Sequence, residues 1–112
     1  MQVQIAVFGK NRDIVDTLER VINKNEKWKA YCTCKHEELK GIVSSNSIQI
    51  VLYSSGIGTF ELENVENWVS ANFPYIHQVQ HFGGGSGLLN CEINSLLEGI
   101  YPINKPSINI ID

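Results

Sequence analysis

Short apolar segments with strand periodicity alternate with amphipathic segments of helical periodicity along nearly the whole chain. In a strand every second side chain lies on the same face, whereas a helix brings residues three or four apart onto one face. The strand patterns are Val3–Phe8, Trp28–Thr33, Ile48–Tyr53, Ile76–Phe82 and Ser107–Ile111, and the helix patterns begin after Asn11, at His36, after Thr59 and at Leu88. This alternation predicts an α/β fold with parallel strands, right-handed crossovers and helices on both faces of the sheet.

The size and composition of the chain fit one globular domain. It has 112 residues, of which 43% are hydrophobic and 19% charged, so a core can form without a disulfide or a metal. The net charge of −3 gives no basic surface for nucleic acid or for an anionic membrane. No apolar run approaches the roughly 20 residues that span a bilayer. We therefore expect a single domain over residues 1–112 that binds neither nucleic acid nor membrane.

The cysteines and the start of the chain indicate the compartment. Cys32, Cys34 and Cys91 are an odd number at spacings that fit no disulfide framework. The opening residues Met1 to Gln4 lack the basic stretch and the apolar block of a signal peptide. We expect reduced thiols in a cytoplasmic protein.

The segment between the fourth strand and the fourth helix is rich in glycine, and it consists of Gly83, Gly84, Gly85, Ser86 and Gly87. Such a loop lies at the carboxyl edge of a parallel sheet, where open α/β folds bind their ligands. Glycine lets backbone N–H groups approach an anion, and the following helix N-terminus adds partial positive charge. The loop lacks the third glycine of a dinucleotide motif and the lysine of a phosphate-binding loop. Two interpretations stay open, binding of a phosphate or nucleotide-like group and a plain turn with Ser86 as the helix cap.

Two further loops should lie at the same edge of the sheet, because they follow the first and the third strand. Lys10 could meet an anionic group there, and His81 at the end of the fourth strand could line the pocket. The candidate ligand-binding residues outside the glycine-rich loop are Gly9, Lys10, Asn11, Ser54, Ser55, Gly56 and His81.

Few side chains could carry catalysis or hold a metal. Ser54, Ser55 and His81 could supply a serine–histidine pair, but no carboxylate can be assigned to orient the histidine. His77 and His81 share a strand face but stand about 13 Å apart, which is too far to share an ion. We expect no enzyme activity, no metal and no cofactor.

The order and lengths of these elements resemble the receiver domains of two-component response regulators, within the flavodoxin-like group. The resemblance implies a three-layer domain whose five-stranded parallel sheet has the order 2-1-3-4-5. It also implies an acidic pair after the first strand, a phospho-accepting aspartate after the third, and a threonine or serine after the fourth. The matching stretches here are Phe8-Gly9-Lys10-Asn11, Tyr53-Ser54-Ser55 and His81-Phe82-Gly83.

None of these stretches contains a carboxylate. Aspartyl phosphorylation needs a carboxylate nucleophile and a Mg²⁺ site built from oxygen ligands, and Asp13 falls inside the first helical turn. The resemblance therefore implies a degenerate receiver that cannot run a phosphorelay. A looser similarity to cobalamin-binding domains ends at Lys10-Asn11, where those domains carry the histidine ligand.

The end of the chain also departs from receivers. Their fifth strand usually ends in Lys-Pro, and Lys105-Pro106 would match if the strand were 101–104. Pro102 lies inside that range, so Ser107–Ile111 is the preferred strand. The last helix of a receiver has no counterpart before Asp112, which should leave a strip of the sheet uncovered.

Glutamines alternate with apolar residues in two of the strand patterns, as Gln2 and Gln4 and as Gln78 and Gln80. Parallel strands covered on both sides are normally apolar on both faces, so this alternation fits a half-solvated face. We therefore expect a receiver-like signalling and interaction module, with a protein partner or a second copy of the chain on the uncovered strip. The alternative is a small-ligand module that binds an anionic, nucleotide or cobalamin-type group at the glycine-rich loop.

Overall fold

Four strands and three helices alternate in the computed structural model, which describes residues 2–81. In chain order they are β1 (Val3–Phe8), α1 (Arg12–Asn23), β2 (Trp28–Thr33), α2 (His36–Ser45), β3 (Ile50–Tyr53), α3 (Thr59–Asn72) and β4 (His77–Gln80). The predicted alternation of strands and helices is confirmed over this range. The glycine-rich loop, the fourth helix and both candidates for the fifth strand lie outside the described residues.

All four strands are parallel and form one sheet in the order β2-β1-β3-β4. In the register, Ile5 of β1 lies beside Ala30 of β2 and Ile50 of β3, and Leu52 lies beside Val79 of β4. This order is the predicted 2-1-3-4 and requires a crossover from β2 past β1 to β3. Each crossover carries one helix, as parallel pairing demands.

Helices cover both faces of the sheet, which confirms the three layers. Helix α1 buries Val15, Leu18 and Ile22 against one face. Helices α2 and α3 bury Leu39, Val43, Val65 and Val69 against the other. The sheet residues facing α1 are Ile5, Val7, Ala30, Ile50 and Leu52, and those facing α2 and α3 are Ala6, Phe8, Val51 and Tyr53.

The expectation of a half-buried first strand is wrong for its second half. Ile5, Ala6, Val7 and Phe8 are all fully buried, because helices pack on both faces of β1. The polar alternation in the sequence therefore reflects only the start of this strand, where Gln4 is half-buried.

The glutamines of β4 face α3 and are hydrogen-bonded there. Gln78 Nε2 donates to Ser70 Oγ at 3.0 Å, and Gln78 Oε1 accepts from the hydroxyl of Tyr53 at 2.5 Å. Gln80 Nε2 donates to a carboxylate oxygen of Glu66 at 3.2 Å. Interpreting this alternation as the mark of an uncovered face was therefore wrong, since the glutamines bind an adjacent helix. The predicted partner on the uncovered strip stays a prediction.

The ends of the elements differ slightly from the predicted ones. Asn11 caps α1, because its side chain accepts from the N–H of Ile14 at 3.3 Å, and Asp13 lies in the first turn without capping it. Gly58, not Thr59, is the N-cap of α3, and it has no side-chain capping bond. The pattern predicts that α2 ends at Val43, and the helix runs two residues further, to Ser45.

Strand β3 starts later than its pattern suggested and ends where predicted, at Tyr53, whereas β4 is shorter at both ends. Strand β3 begins at Ile50 rather than at Ile48, although Ile48 is buried. Strand β4 spans only His77–Gln80. No helix within residues 2–81 is long and apolar enough to cross a bilayer.

Candidate functional site

The loops that follow β1 and β3 meet at the carboxyl edge of the sheet, as predicted. The N–H of Lys10 donates to the carbonyl of Ser55 at 3.3 Å, and the N–H of Ser54 donates to the carbonyl of Phe8 at 2.8 Å. The end of β2 joins them, because the N–H of Gly9 donates to the carbonyl of Thr33 at 3.3 Å. The structure thus brings together Gly9, Lys10, Asn11, Ser54, Ser55 and Gly56, whereas residues 83–87 lie outside its described range.

The polar groups of the first loop are engaged within the protein. The N–H groups of Gly9 and Lys10 bind the carbonyls named above, and the side chain of Asn11 caps α1. An anion-binding loop works by presenting unsatisfied N–H groups to the ligand. In this arrangement the N–H groups of Gly9 and Lys10 are already hydrogen-bonded and are not available to an anion. Ligand binding at these residues stays a prediction.

The loop after β3 contains one backbone position that requires glycine. Gly56 has φ of +91°, a left-handed conformation that L side chains rarely adopt. A Cβ atom there would also stand 3.2 Å from the Cβ of Lys10. Gly56 therefore supports the approach of this loop to the one after β1.

Ser54 occupies the position directly after β3 and is only 8% exposed. Its hydroxyl oxygen is buried and has no hydrogen-bond partner among residues 2–81. The N–H of His81 donates to the carbonyl of Tyr53 at 2.8 Å, which places His81, the residue directly after β4, beside Ser54. His81 is 4% exposed, but no hydrogen bond joins it to the Ser54 hydroxyl, so a serine–histidine pair is not formed.

The ammonium of Lys10 forms an ion pair with Glu61, which lies in the first turn of α3. The Nζ atom of Lys10 lies 3.0 Å from a carboxylate oxygen of Glu61, and it also donates to the carbonyl of Cys34 at 3.3 Å. The same oxygen of Glu61 lies 2.8 Å from Nδ1 of His36, the first residue of α2. We call Lys10, His36 and Glu61 the charged triad, which joins the β1–α1 loop to the starts of α2 and α3.

The triad changes the acidity of its carboxylate. Burial alone would raise the pKa of Glu61, but hydrogen bonds from Lys10 and His36, together with their charges, bring this pKa below its ordinary value. Glu61 is therefore ionised across the neutral range. The three stretches that match receiver motifs contain no carboxylate, but α3 begins at the same edge and places Glu61 beside Lys10.

Sequence reasoning missed His36 and Glu61, although a signal for both was present. Each lies in the first turn of a helix that follows a strand, and such turns start at the same edge as the Lys10 loop. The pairing itself depends on how α2 and α3 pack, which periodicity does not give.

A cleft with a volume of about 440 Å³ opens between α2 and α3 beside the triad. Its lining residues are His36, Lys40, Glu61, Asn64 and Val65. Lys40 lies one helical turn beyond His36, and its Nζ atom stands 5.4 Å from the ring centroid of Trp68. This cleft was not predicted from the sequence.

The cysteines and histidines of the described region form no metal centre. Within residues 2–81, no three side chains among His, Cys, Asp and Glu lie close enough together to hold an ion. Burial, with smaller contributions from the charges of Glu19 and Asp16, raises the pKa of Cys32 to about 12. A thiol of this kind is a poor nucleophile, which argues against a redox pair with Cys34.

Comparisons with protein-family models and with curated proteins give no match. Solved structures do resemble the chain. The signal receiver domain of an HD domain-containing protein from Pseudomonas fluorescens Pf-5 superimposes with a TM-score of 0.75 over 90% of this chain and 98% of that one, at 8% identity. The non-phosphorylated HemR receiver domain from Leptospira biflexa gives 0.64 over 95% and 99%, at 10% identity.

A third solved structure is described by a different name. A pilus assembly-related protein from Burkholderia pseudomallei K96243 gives a TM-score of 0.57 over 82% of this chain and 72% of that one, at 13% identity. At these identities the likeness concerns the fold. The chain has the fold of a receiver domain, and the predicted resemblance is confirmed at that level.

Proposed function

We propose that this chain is a receiver-like signalling module that accepts no phosphoryl group and acts through contacts with other proteins. The observation that carries the proposal is Ser54, which stands at the end of β3 where the resemblance places the phospho-accepting aspartate. Its hydroxyl is buried, and no base lies within hydrogen-bond distance among residues 2–81. A serine hydroxyl without a base is a weak nucleophile.

The surroundings of Ser54 support the same conclusion. Receivers place an acidic pair after the first strand, whereas Gly9 and Lys10 stand there in this chain. The nearby carboxylate of Glu61 is neutralised by the ammonium of Lys10 at 3.0 Å. Lys10 thus places a positive charge next to the one carboxylate of the triad, which disfavours binding of a Mg²⁺ ion there.

The proposal is tested by treating the purified protein with acetyl phosphate and MgCl₂ and measuring its intact mass. We expect no gain of a phosphoryl group under conditions in which a receiver domain with its aspartate is phosphorylated. The variant Ser54→Asp should also stay unmodified, because a single new carboxylate does not create the metal site. Phosphorylation of the wild-type chain would refute the proposal.

The protein-contact part of the proposal is tested separately. Affinity capture with the full chain, followed by mass spectrometry, should retain a specific partner. Retention that depends instead on an added nucleotide, cobalamin or phosphate would favour the alternative of a small-ligand module. Thermal unfolding with each of these compounds gives the matching measurement, since saturation at about 100 times the Kd would stabilise the fold by about 2.7 kcal/mol.

A further inference from the structure

The outer surface of α2 and α3 forms a groove with a polar end and an aromatic end. The polar end is the cleft of about 440 Å³ described above, a volume in the range of sites that hold small ligands or single side chains. The aromatic end lies at the far end of α3. Lys40 of this cleft stands over the ring of Trp68, which contacts Phe73, and Phe73 contacts Tyr75. We call the cleft together with these three rings the α2–α3 groove.

Lys40 carries the uncompensated charge of the groove. Among residues 2–81, no carboxylate lies within ion-pair distance of Lys40, whose ammonium instead stands over the ring of Trp68 at 5.4 Å. Glu61 is already balanced by Lys10 at 3.0 Å. Glu37 contacts His36 at 3.5 Å with a side chain that is 75% exposed, so its charge is screened by water.

The aromatic end presents ring surface next to this ammonium. Trp68 and Phe73 have ring centroids 5.7 Å apart, and Phe73 meets Tyr75 edge-on at 6.2 Å. Tyr75 is 68% exposed. Trp68 and Phe73 are half-buried, so Tyr75 supplies the exposed ring surface. Tyr and Trp are enriched where proteins bind partner side chains.

The length of the groove suits a short stretch of chain. Glu61 and Trp68 are seven residues apart on α3, which corresponds to about 10 Å along the helix axis. An extended segment of about three residues covers the distance from Glu61 to Trp68, and a few more residues extend it past Phe73 and Tyr75. One of its side chains can then lie at Lys40 while a neighbouring one lies on Phe73 and Tyr75.

We propose that the α2–α3 groove binds a short segment of a partner protein in which a carboxylate side chain stands next to an aromatic or large apolar one. The carboxylate pairs with Lys40, and the apolar side chain packs at the aromatic end. This inference rests on the proposed function as an interaction module and names the surface and the chemistry of the partner. The whole chain carries a net charge of −3, so attraction of an acidic segment must come from Lys40 locally.

A displayed library of random peptides, selected against the wild-type chain, tests the proposal. We expect selected peptides to be enriched in Asp or Glu beside an aromatic residue. A synthetic peptide from the selection should bind Lys40→Gln about tenfold more weakly, as loss of one well-placed charge contact predicts. Tyr75→Ala should weaken binding as well.

Lys29→Gln is the matched control, because Lys29 also stands over an aromatic ring, that of Tyr31 at 5.1 Å, but on the edge strand β2. The Lys29→Gln variant should bind the peptide with the same affinity as the wild type. Amide chemical shifts of the wild-type chain, followed during peptide titration, should change along α2 and α3. Circular dichroism and urea unfolding of each variant show that the fold is intact.

Several outcomes would overturn the inference. They are selection of peptides without acidic residues, equal binding to Lys40→Gln, chemical-shift changes confined to other elements, or the absence of any binder. A dimer of the chain that is lost in Lys40→Gln would assign the groove to a second copy and would also overturn it. These outcomes all concern peptide binding, whereas the proposed function fails if the protein gains a phosphoryl group. The two failures are therefore distinguishable.

Discussion

Gly9 lies so close to Ser54 that a Cβ atom at Gly9 would stand 2.6 Å from the Cβ of Ser54. The same atom would be 3.1 Å from a methyl group of Val15. Glycine at this position therefore lets the ends of β1 and β3 approach each other beneath α1. Its role in this structure is close packing of the backbone.

We expect Gly9→Ala to lower the free energy of unfolding by about 1–3 kcal/mol, the usual cost of overpacking a core. Urea denaturation followed by circular dichroism measures the change. Gly41→Ala is the control, because nothing lies within 4 Å of a Cβ at that position and alanine favours the interior of α2. It should raise stability by about 0.5–1 kcal/mol. If Gly9→Ala left the free energy of unfolding unchanged, the close approach of Gly9 to Ser54 would not require glycine.

The buried hydroxyl of Ser54 predicts an unusual response to substitution. Because this hydroxyl has no partner in the described part of the chain, Ser54→Ala removes an unpaired polar atom. Stability should be unchanged or raised by up to about 1 kcal/mol. Thr33→Val is the contrasting variant, since Thr33 accepts from the N–H of Lys35 at 3.0 Å, and it should cost about 1–2 kcal/mol. A large loss in Ser54→Ala would reveal a bond to the hydroxyl.

The charged triad predicts a pH-dependent contribution to stability. The pKa of Glu61 is lowered in the folded chain, so its ion pair stabilises the fold above the ordinary carboxyl pKa. That contribution is lost as the pH falls through the lowered pKa. Glu61→Gln should cost about 0.5–1 kcal/mol at neutral pH, as for other partly exposed pairs, and nothing in strong acid. Urea unfolding across this range is the measurement.

Glu63→Gln provides the comparison for Glu61→Gln. Glu63 is exposed on the same helix, and its replacement should change stability little at any pH. Equal effects of the two variants would contradict the assignment of the triad.

Burial of the Cys32 thiol predicts slow alkylation. Its pKa is raised to about 12, so little thiolate is present at pH 8. In the variant Cys34→Ser/Cys91→Ser, iodoacetamide should label the native chain more than about a hundredfold more slowly than the urea-unfolded chain. Mass spectrometry follows the label. Rapid labelling of the native chain would place Cys32 in solvent.

Much of the fold could be predicted because periodicity records which faces are buried. The pattern of Trp28–Thr33 matches β2 at both ends, and Ile50–Tyr53 is buried throughout as the apolar run indicated. The glutamines of β4 were misinterpreted, because their alternation reports polarity and not whether a neighbouring helix supplies partners such as Ser70 and Glu66.

The sequence predicted where the candidate site lies, but it did not predict which charged side chains pair there. Convergence of the loops at Lys10 and Ser55 follows from parallel strands alone. The pairing of Lys10 with Glu61 joins residues 51 positions apart in the sequence, and it depends on the placement of α3. No local pattern reports such a contact, so the partner of Lys10 became visible only with the helices in place.

The charged triad also limits how much free energy binding on the α2–α3 side can transmit to α1 on the other side of the sheet. A segment that binds in the α2–α3 groove and draws Glu61 away would release Lys10 and so affect the entrance to α1 on the opposite side of the sheet. The energy available for this transmission is that of the contact itself, about 1 kcal/mol for a half-exposed pair. A difference of that size shifts the population of a loop by about fivefold. Under the proposed function, this route would therefore change the population of that loop only partly and would not empty or fill it completely.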